Sequence, residues 1–354
     1  MSILDRYVGR VVLLGTLMSL FVLMTLIGFI LLVDELGDVG EGNYQLLDAV
    51  LFVSLNMPGV LFQLFPIAAM LGSLMGLGAL ANHSELTAMR AAGVSLARIT
   101  ASVLQMGAIL MIVAFLVGEF LAPWGERKAL TLRAEKISGT VSMESQYGFW
   151  ARDGDAFINI RKILSGNQLQ DIYIYEFDKS KRMTLSTHAE RANYVDDGWR
   201  LQNIVQTQYS EGRAFTRKVK EANWQSLLNP DLLKVVIIES KFLPIWELYE
   251  YINFLKSNGQ SAVKYEIDFW NKMLTPFVTL VMMLLAIPFV FGSTRSTSMG
   301  QRVFAGVLVA AGFHMLNTVF GYISLVYGLN SLFAAAFPGL LFLGVAIVLF
   351  RRVH

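Results

Sequence analysis

Long apolar runs alternate with short charged segments along most of this chain, and the runs are long enough to cross a membrane. A transmembrane helix needs about 20 apolar residues, and residues 11–33 form the first run without a charge. The stretch 303–350 contains no Asp, Glu, Lys or Arg, so it can hold two spans separated by a turn at Gly328-Leu329-Asn330. The pattern therefore predicts six spans, at 11–33, about 61–80, 99–118, 273–294 and two within 303–350.

Two prolines interrupt the second of these runs. Pro58 and Pro66 lie within the uncharged stretch 49–82, and a proline removes one backbone hydrogen bond from a helix. We therefore expect an interfacial segment first, followed by the span proper near 61–80.

Arginines in the short polar segments predict the orientation of the spans, because Lys and Arg are in excess in cytoplasmic loops. With six spans, the segment 34–48 on one side carries acids and no Lys or Arg, while the opposite side collects arginines. We therefore expect cytoplasmic termini and a block outside the membrane, on the side opposite the cytoplasm, between the third and fourth spans. The acids are Asp34, Glu35, Asp38, Glu41 and Asp48, and the arginines are Arg6, Arg10, Arg90, Arg98, Arg295, Arg302, Arg351 and Arg352.

The block between the third and fourth spans has the sequence pattern of a β-domain. Two hairpins are predicted, one at 149–160 around Asp153-Gly154-Asp155 and one at 192–209 around Asp196-Asp197-Gly198. Further strands are predicted at 172–177, 214–224 and 232–239. Strands and turns at this spacing indicate a sandwich or jelly roll.

Helical spacing returns after Pro244. The apolar positions within 245–255 keep a helical period, Gly259 ends the run, and 263–273 leads into the fourth span. The predicted fold class is an α-helical membrane protein with six transmembrane helices and a β-domain, a sandwich or jelly roll, inserted between helices 3 and 4. Its parts are transmembrane helices 1–3 at 1–122, the β-domain at 123–240, an extracytoplasmic helical connector at 241–272, and transmembrane helices 4–6 at 273–354.

A short polar segment between the second and third spans predicts a helix of two to three turns at about 83–93. The side chains of Asn82 and Ser84 can cap its start by accepting backbone hydrogen bonds, and Gly93 is suited to its end. Such a helix could carry movement from a soluble partner into the spans that it joins; a plain amphipathic connector is the alternative. One face of the helix holds Glu85, Ala88, Met89 and Ala92.

Composition and motifs indicate a membrane protein and offer little catalytic chemistry. The chain is 55% hydrophobic with a mean hydropathy of +0.52, has a net charge of +2 that points to no nucleic acid, and contains no cysteine for disulfides, thiol catalysis or metal binding. It has no P-loop and no H-E-x-x-H motif, and its four histidines are scattered. Only His314 is ionisable deep in a predicted span, either as a proton or ligand contact or as a partner of a neighbouring helix. We expect no cofactor or metal in this chain, and any energy for transport must come from another subunit.

Short motifs spread over nearly the whole chain match one family of membrane proteins. Together with the layout of three spans, a β-domain and three spans, they make the chain similar to the LptF/LptG family of lipopolysaccharide export permeases. The start of the chain resembles the LptG branch more than the LptF branch. The motifs are Leu4-Asp5-Arg6-Tyr7, Val33-Asp34-Glu35-Leu36, Leu77-Gly78-Ala79-Leu80-Ala81 before Ser84-Glu85-Leu86, 89–93, Gly118-Glu119-Phe120-Leu121-Ala122-Pro123 with Gly125-Glu126, Leu255-Lys256-Ser257-Asn258-Gly259-Gln260, and Leu325-Val326-Tyr327-Gly328.

The resemblance implies a non-catalytic permease subunit of an ATP-driven transporter that extracts lipopolysaccharide from the bacterial inner membrane. It also implies that the inserted domain at 123–240 is a periplasmic β-jellyroll domain. It implies a heterodimer with LptF, a dimer of the ATPase LptB that binds ATP and Mg, the additional subunit LptC, and contact with membrane lipids. The family's lateral gates correspond to the first and fifth spans, here 11–33 and about 303–327. The helix at 83–93 matches the family's coupling helix, so the expected ATPase-coupling residues are Glu85, Ala88, Met89, Arg90 and Gly93.

The resemblance also implies basic residues that meet the phosphates of lipid A. Some family members carry lysines at and just beyond the outer end of the first span, where this chain has Leu31, Gly37 and Asp38. Arg133 matches a basic position after the third span; anchoring of its helix to lipid headgroups is the alternative role. Arg127 and Lys128 lie nearby without such a match. The expected lipopolysaccharide contacts are Arg133, Arg127, Lys128 and Leu31.

Two other functions remain open from the sequence. One is an ATP-driven permease for another lipid, and the other is a membrane-anchored periplasmic assembly or scaffold protein without transport. Co-purification of an ATPase discriminates between transport and a scaffold.

Overall fold

All six predicted spans are helices in the computed structural model, which describes residues 3–138, 141–154, 156–164, 168–178, 180–195, 198–210, 213–224, 230, 239–291 and 299–353. Six helical stretches among these residues are long and apolar enough to cross a membrane. The helices are α1 (Ile3–Glu35), α2 (Leu46–Asn82), α3 (Glu85–Ala91), α4 (Leu96–Leu116), α5 (Ala122–Ser138), α6 (Ile245–Ser257), α7 (Val263–Phe291), α8 (Met299–Tyr327) and α9 (Ser331–Val353). The six apolar stretches are formed by α1, α2, α4 with α5, α7, α8 and α9.

The second span differs from its prediction because α2 is one continuous helix that contains both Pro58 and Pro66. No break separates an interfacial segment from the span. Close packing from another helix accompanies the first proline: a side chain at Gly118 or Gly125 would collide with Phe62 or with the carbonyl of Leu55, respectively. Packing against neighbouring helices is what makes a proline tolerable inside a membrane helix.

The third span continues beyond its predicted end at residue 118. A turn of π-helix, Val117–Leu121, links α4 directly to α5, so the helical path runs on to Ser138. A π-turn inserts an extra residue into the helical hydrogen-bond ladder. The predicted turn between the last two spans is confirmed, and Gly328 adopts the left-handed backbone angle φ +67° there.

The described chain divides into two compact units. The first consists of Met1–Asp34, Val53–Gly125 and Val263–His354, and the second of Glu35–Phe52 and Glu126–Ala262. In the first unit, α1 and α2 approach so closely that a side chain at Gly15 or Gly72 would collide with the opposite backbone. Small residues at such a crossing are typical of membrane helices, whose association depends on close van der Waals packing.

The second unit contains the predicted β-domain as a six-stranded antiparallel sheet. Strand order follows chain order, so each strand pairs with the next among the described strands, without the crossings of a Greek key. The strands are β1 (Val141–Asp153), β2 (Ala156–Leu164), β3 (Gln168–Phe177), β4 (Met183–Val195), β5 (Gly198–Ser210) and β6 (Arg213–Trp224).

Both predicted hairpins are confirmed by the strand register. Asp153 pairs with Ala156 at the first turn, and Val195 pairs with Gly198 at the second. Alternation places Ile172 and other apolar side chains in a core on one face of the sheet. The predicted strand at 232–239 lies, except for its last residue, outside the described residues. The predicted helix after Pro244 is α6.

Candidate functional site: the connector helix and the basic helix

The connector between α2 and α4 is the helix α3, of seven residues. Its predicted start is wrong in detail, because Ser84 has a left-handed backbone (φ +60°) and its side chain makes no capping hydrogen bond. A capping side chain normally projects from an extended backbone, whereas Ser84 belongs to a tight turn whose backbone N–H donates to the carbonyl of Ala81 at 3.0 Å. The predicted end is confirmed: Gly93 has φ +89° and its N–H donates to the carbonyl of Arg90 at 3.0 Å.

The two sides of α3 differ in burial. Leu86 is buried in the helical core and Met89 is partly buried against it. Ala88 and Arg90 are exposed. The predicted face is therefore divided, since Met89 packs inwards while Ala88 presents a small side chain outwards. The exposed surface of α3 consists of Thr87, Ala88, Arg90, Ala91 and the following Ala92.

Glu85 has a partner within the chain that the sequence did not reveal. The hydroxyl of Tyr7, at the start of α1, donates a hydrogen bond of 2.6 Å to its carboxylate. Asp5, which is buried, accepts hydrogen bonds from Ser102 at 2.8 Å and from the guanidinium of Arg98 at 3.2 Å. The first turns of α1 therefore bind both the connector helix and the start of α4.

The Leu4-Asp5-Arg6-Tyr7 motif points to two of the residues that make these contacts, but it does not identify their partners. Tyr7 and Glu85 are separated by 78 positions, and Asp5 and Ser102 by 97. Periodicity reports only neighbours within an element, so pairs at such separations need the folded structure.

Arg133 on α5 is held by two of the acids that follow the first span. Its guanidinium lies 3.4 Å from Glu35 and forms an ion pair with Asp38. Glu35 is buried and also accepts a 2.8 Å hydrogen bond from Tyr44. Burial and this hydrogen bond raise the pKa of Tyr44, so its hydroxyl stays neutral and remains a donor. The guanidinium also lies over the ring of Phe52, 5.5 Å from its centroid, in a cation–π contact.

The other predicted lipopolysaccharide contacts have different surroundings. Arg127 forms an ion pair with Glu247 of α6, whereas Lys128 is exposed and makes no ion pair within the described part of the chain. Leu31 is a half-buried residue of α1 and belongs to the other compact unit. The structure thus brings each arginine together with a carboxylate, and leaves Lys128 as an exposed cation.

Comparison with known proteins identifies the family. The family described as lipopolysaccharide export system permease LptF/LptG matches residues 6–352. LptG of Escherichia coli K12 is 35% identical over 354 residues, covering 99% of this chain and 98% of that protein, and LptG of Haemophilus influenzae is 36% identical, covering 96% of each. LptF of E. coli K12 is 25% identical over 63% of this chain and 62% of that protein. The chain therefore belongs to the LptF/LptG family and is a permease subunit of a lipopolysaccharide export system.

Proposed function

We propose that this permease extracts lipopolysaccharide from the inner membrane with energy from a separate ATPase that docks on α3. The observation that carries the proposal is the hydrogen bond between Tyr7 and Glu85, which joins the exposed connector helix to the start of the first span. A displacement of α3 would be transmitted to α1 through this contact and through the buried side chain of Leu86. The arginine distribution supports a cytoplasmic location for α3 and a periplasmic one for the β-domain.

The proposed partners are those that the resemblance to the family implies. A dimer of LptB would bind ATP and Mg, since this sequence has no P-loop. LptG and LptF are separate proteins in E. coli, and the higher identity to LptG favours LptF as the other half of a heterodimer. LptC would add a membrane helix and a second β-domain on the periplasmic side.

The exposed face of α3 is suited to a groove in the ATPase. The side chains of Ala88 and Ala92 are small, so the backbone of the ATPase can approach this face closely. Arg90 is an exposed cation on the same helix. Glu85 is only half buried and can accept a second donor beside Tyr7. A basic residue of the ATPase would supply that donor.

For lipid recognition, we propose that Lys128 binds a lipid A phosphate directly. Arg133 would bind a lipid A phosphate after the phosphate has replaced the carboxylate of Asp38 as its partner. A phosphate oxygen accepts the same charge-assisted hydrogen bonds as the Asp38 carboxylate. The side chain of Arg133 is 37% exposed, so an anion can reach it while the buried Glu35 stays in place. Arg127 would keep its pair with Glu247 and hold α5 to α6.

Purification of the complex from native membranes tests this function. The chain, carrying an affinity tag at its C-terminus, should bring down an ATPase and a lipid that mass spectrometry identifies as lipopolysaccharide. A complex that contains the ATPase with a different lipid would support a permease for that lipid. Recovery of periplasmic proteins without any ATPase would support an assembly scaffold and reject the transport role.

A further inference from the structure

A buried ion pair joins α7 to the π-turn between α4 and α5. The ammonium of Lys272 lies 3.0 Å from the carboxylate of Glu119, and the two side chains are only 3% and 4% exposed. Removing two charges from water is expensive, so buried pairs of this kind are uncommon and depend on close geometry. In the sequence both residues lie just outside the predicted spans, so neither had been expected in the helical core.

Each partner lies where its own helix is irregular. Glu119 is in the middle of the π-turn Val117–Leu121. Lys272 lies four residues before Pro276 in α7, and a proline has no N–H to donate to the carbonyl four residues earlier. Both helices therefore have an interrupted hydrogen-bond ladder at the level of the ion pair, and such interruptions are the usual places where helices bend.

A third helix covers this pair. The ring of Phe62 on α2 lies 6.0 Å from the ammonium of Lys272. The same ring packs directly on Gly118, where any side chain would collide with it. The aromatic face is favourable for the ammonium, and the ring excludes water and lipid from one side of the pair.

Glu119 and Lys272 both belong to the first compact unit, which extends along the chain to Gly125 and resumes at Val263. We propose that the Glu119–Lys272 pair is a pin that holds the π-turn and the proline-containing part of α7 together, so that these two bending points change only in concert. This pinning is independent of which subunit docks on α3.

Pulsed electron paramagnetic resonance can measure the bend at the π-turn. The chain contains no cysteine, so Ile109→Cys and Trp124→Cys can carry two spin labels at exposed positions on either side of the π-turn, within the first compact unit. Fifteen residues of helix place them about 22 Å apart, and bending at the π-turn changes this distance. The wild-type chain in lipid nanodiscs should give one narrow distance distribution.

Replacing the pair by neutral residues should release the bend. Glu119→Gln with Lys272→Met removes both charges, and such a replacement is commonly tolerated by the fold. We expect it to retain the melting temperature within a few degrees and to widen the distance distribution about twofold. The swapped variant, Glu119→Lys with Lys272→Glu, should restore the narrow distribution. An unchanged width in the neutral variant would overturn the proposal.

Two further variants keep the result interpretable. Asp48→Asn with Lys136→Met removes another ion pair, of 3.4 Å, whose lysine is 44% exposed. This control should leave the width of the distance distribution unchanged, and widening there as well would overturn the proposal.

If the neutral variant fails to fold, Glu119→Asp retains the charge but shortens the side chain. It should also widen the distribution, and an unchanged width would reject the pin. The measurement needs neither ATPase nor lipopolysaccharide, so its outcome is separate from that of the transport role.

Discussion

The hydroxyl of Tyr7 donates a 2.6 Å hydrogen bond to the carboxylate of Glu85, joining the first turn of the first span to the connector helix. Asp5, two residues before Tyr7, binds Arg98 and Ser102 of α4. The start of α1 is therefore attached to both ends of the segment between the second and third spans. A force applied to α3 by another subunit would reach the first span directly.

Glu85→Lys should weaken docking of the ATPase or uncouple hydrolysis from transport. The change removes the acceptor of Tyr7 and opposes the basic residue that we expect in the ATPase groove. A partly buried pair that loses one member typically costs about 3–5 kcal/mol, so docking should weaken by roughly a hundredfold or more. Affinity of the purified permease for the ATPase, with ATPase activity and lipopolysaccharide release, measures the effect.

Tyr7→Phe is the matched control, since it removes one hydroxyl and leaves Glu85 in place. We expect normal ATPase docking with less lipopolysaccharide released per ATP hydrolysed, because the link to α1 is weaker. Normal transport by the Glu85→Lys complex would contradict the coupling role of α3. Equal docking defects in both variants would show that Tyr7 only orients Glu85.

Asp5→Asn should destabilise the helical unit. The buried carboxylate accepts hydrogen bonds from Ser102 and Arg98, and hydrogen bonds to charged groups contribute about 1.5–3 kcal/mol. The melting temperature of the detergent-purified permease should fall accordingly. Ser102→Ala removes only one of these two donors and leaves Arg98 paired with the charged carboxylate, so it should cost less than Asp5→Asn. A loss as large for Ser102→Ala as for Asp5→Asn would mean that the charge of Asp5 is unimportant.

Local features of this protein could be predicted from the sequence, and long-range pairs could not. The six spans are predicted from uncharged apolar runs, and the two hairpins from strand and turn residues that are close together in the sequence. The pairing of Asp153 with Ala156 confirms one of the hairpin turns. The continuous α2 was not predicted. The sequence shows its prolines, but it does not show the close packing at Gly118 and Gly125 that accompanies them.

For the charged residues too, the candidates could be predicted from the sequence and their partners could not. The family resemblance predicts a role for Arg133, but its pairing with Glu35 and Asp38 depends on how distant segments fold together. Glu119 follows the predicted third span and Lys272 precedes the predicted fourth span, and only the structure places them 3.0 Å apart in a buried site. Charge along a sequence indicates candidates, whereas burial and partners decide what each candidate can bind.

The orientation can be tested with single cysteines, because the natural chain has none. Ser180 is exposed in the β-domain and Ser84 is exposed beside α3. In intact spheroplasts, a membrane-impermeant thiol reagent should label Ser180→Cys and should not label Ser84→Cys until the membrane is opened. The reverse pattern would invert the proposed topology and place α3 out of reach of a cytoplasmic ATPase.

Lipid recognition can be tested through the ion pair of Arg133. If a phosphate exchanges with the Asp38 carboxylate, Asp38→Asn should leave the guanidinium paired with Glu35 alone and increase photocrosslinking of lipopolysaccharide to probes placed beside Arg133 on α5. Arg133→Glu should decrease it about tenfold, which corresponds to one charge-assisted hydrogen bond of about 1.4 kcal/mol. Lys128→Glu should decrease crosslinking without affecting the pairs of α5, since Lys128 is exposed.

The control for these variants is Arg127→Gln, which breaks the pair with Glu247 and should loosen α5 from α6 while leaving crosslinking nearly unchanged. Binding of the ATPase must be retained in every variant for the comparison to hold. Equal crosslinking in Arg133→Glu and the wild type would mean that Arg133 only fastens α5 to the segment after the first span. The basic contacts to lipid A would then come from LptF or LptC, and this subunit would contribute apolar surface such as Leu31.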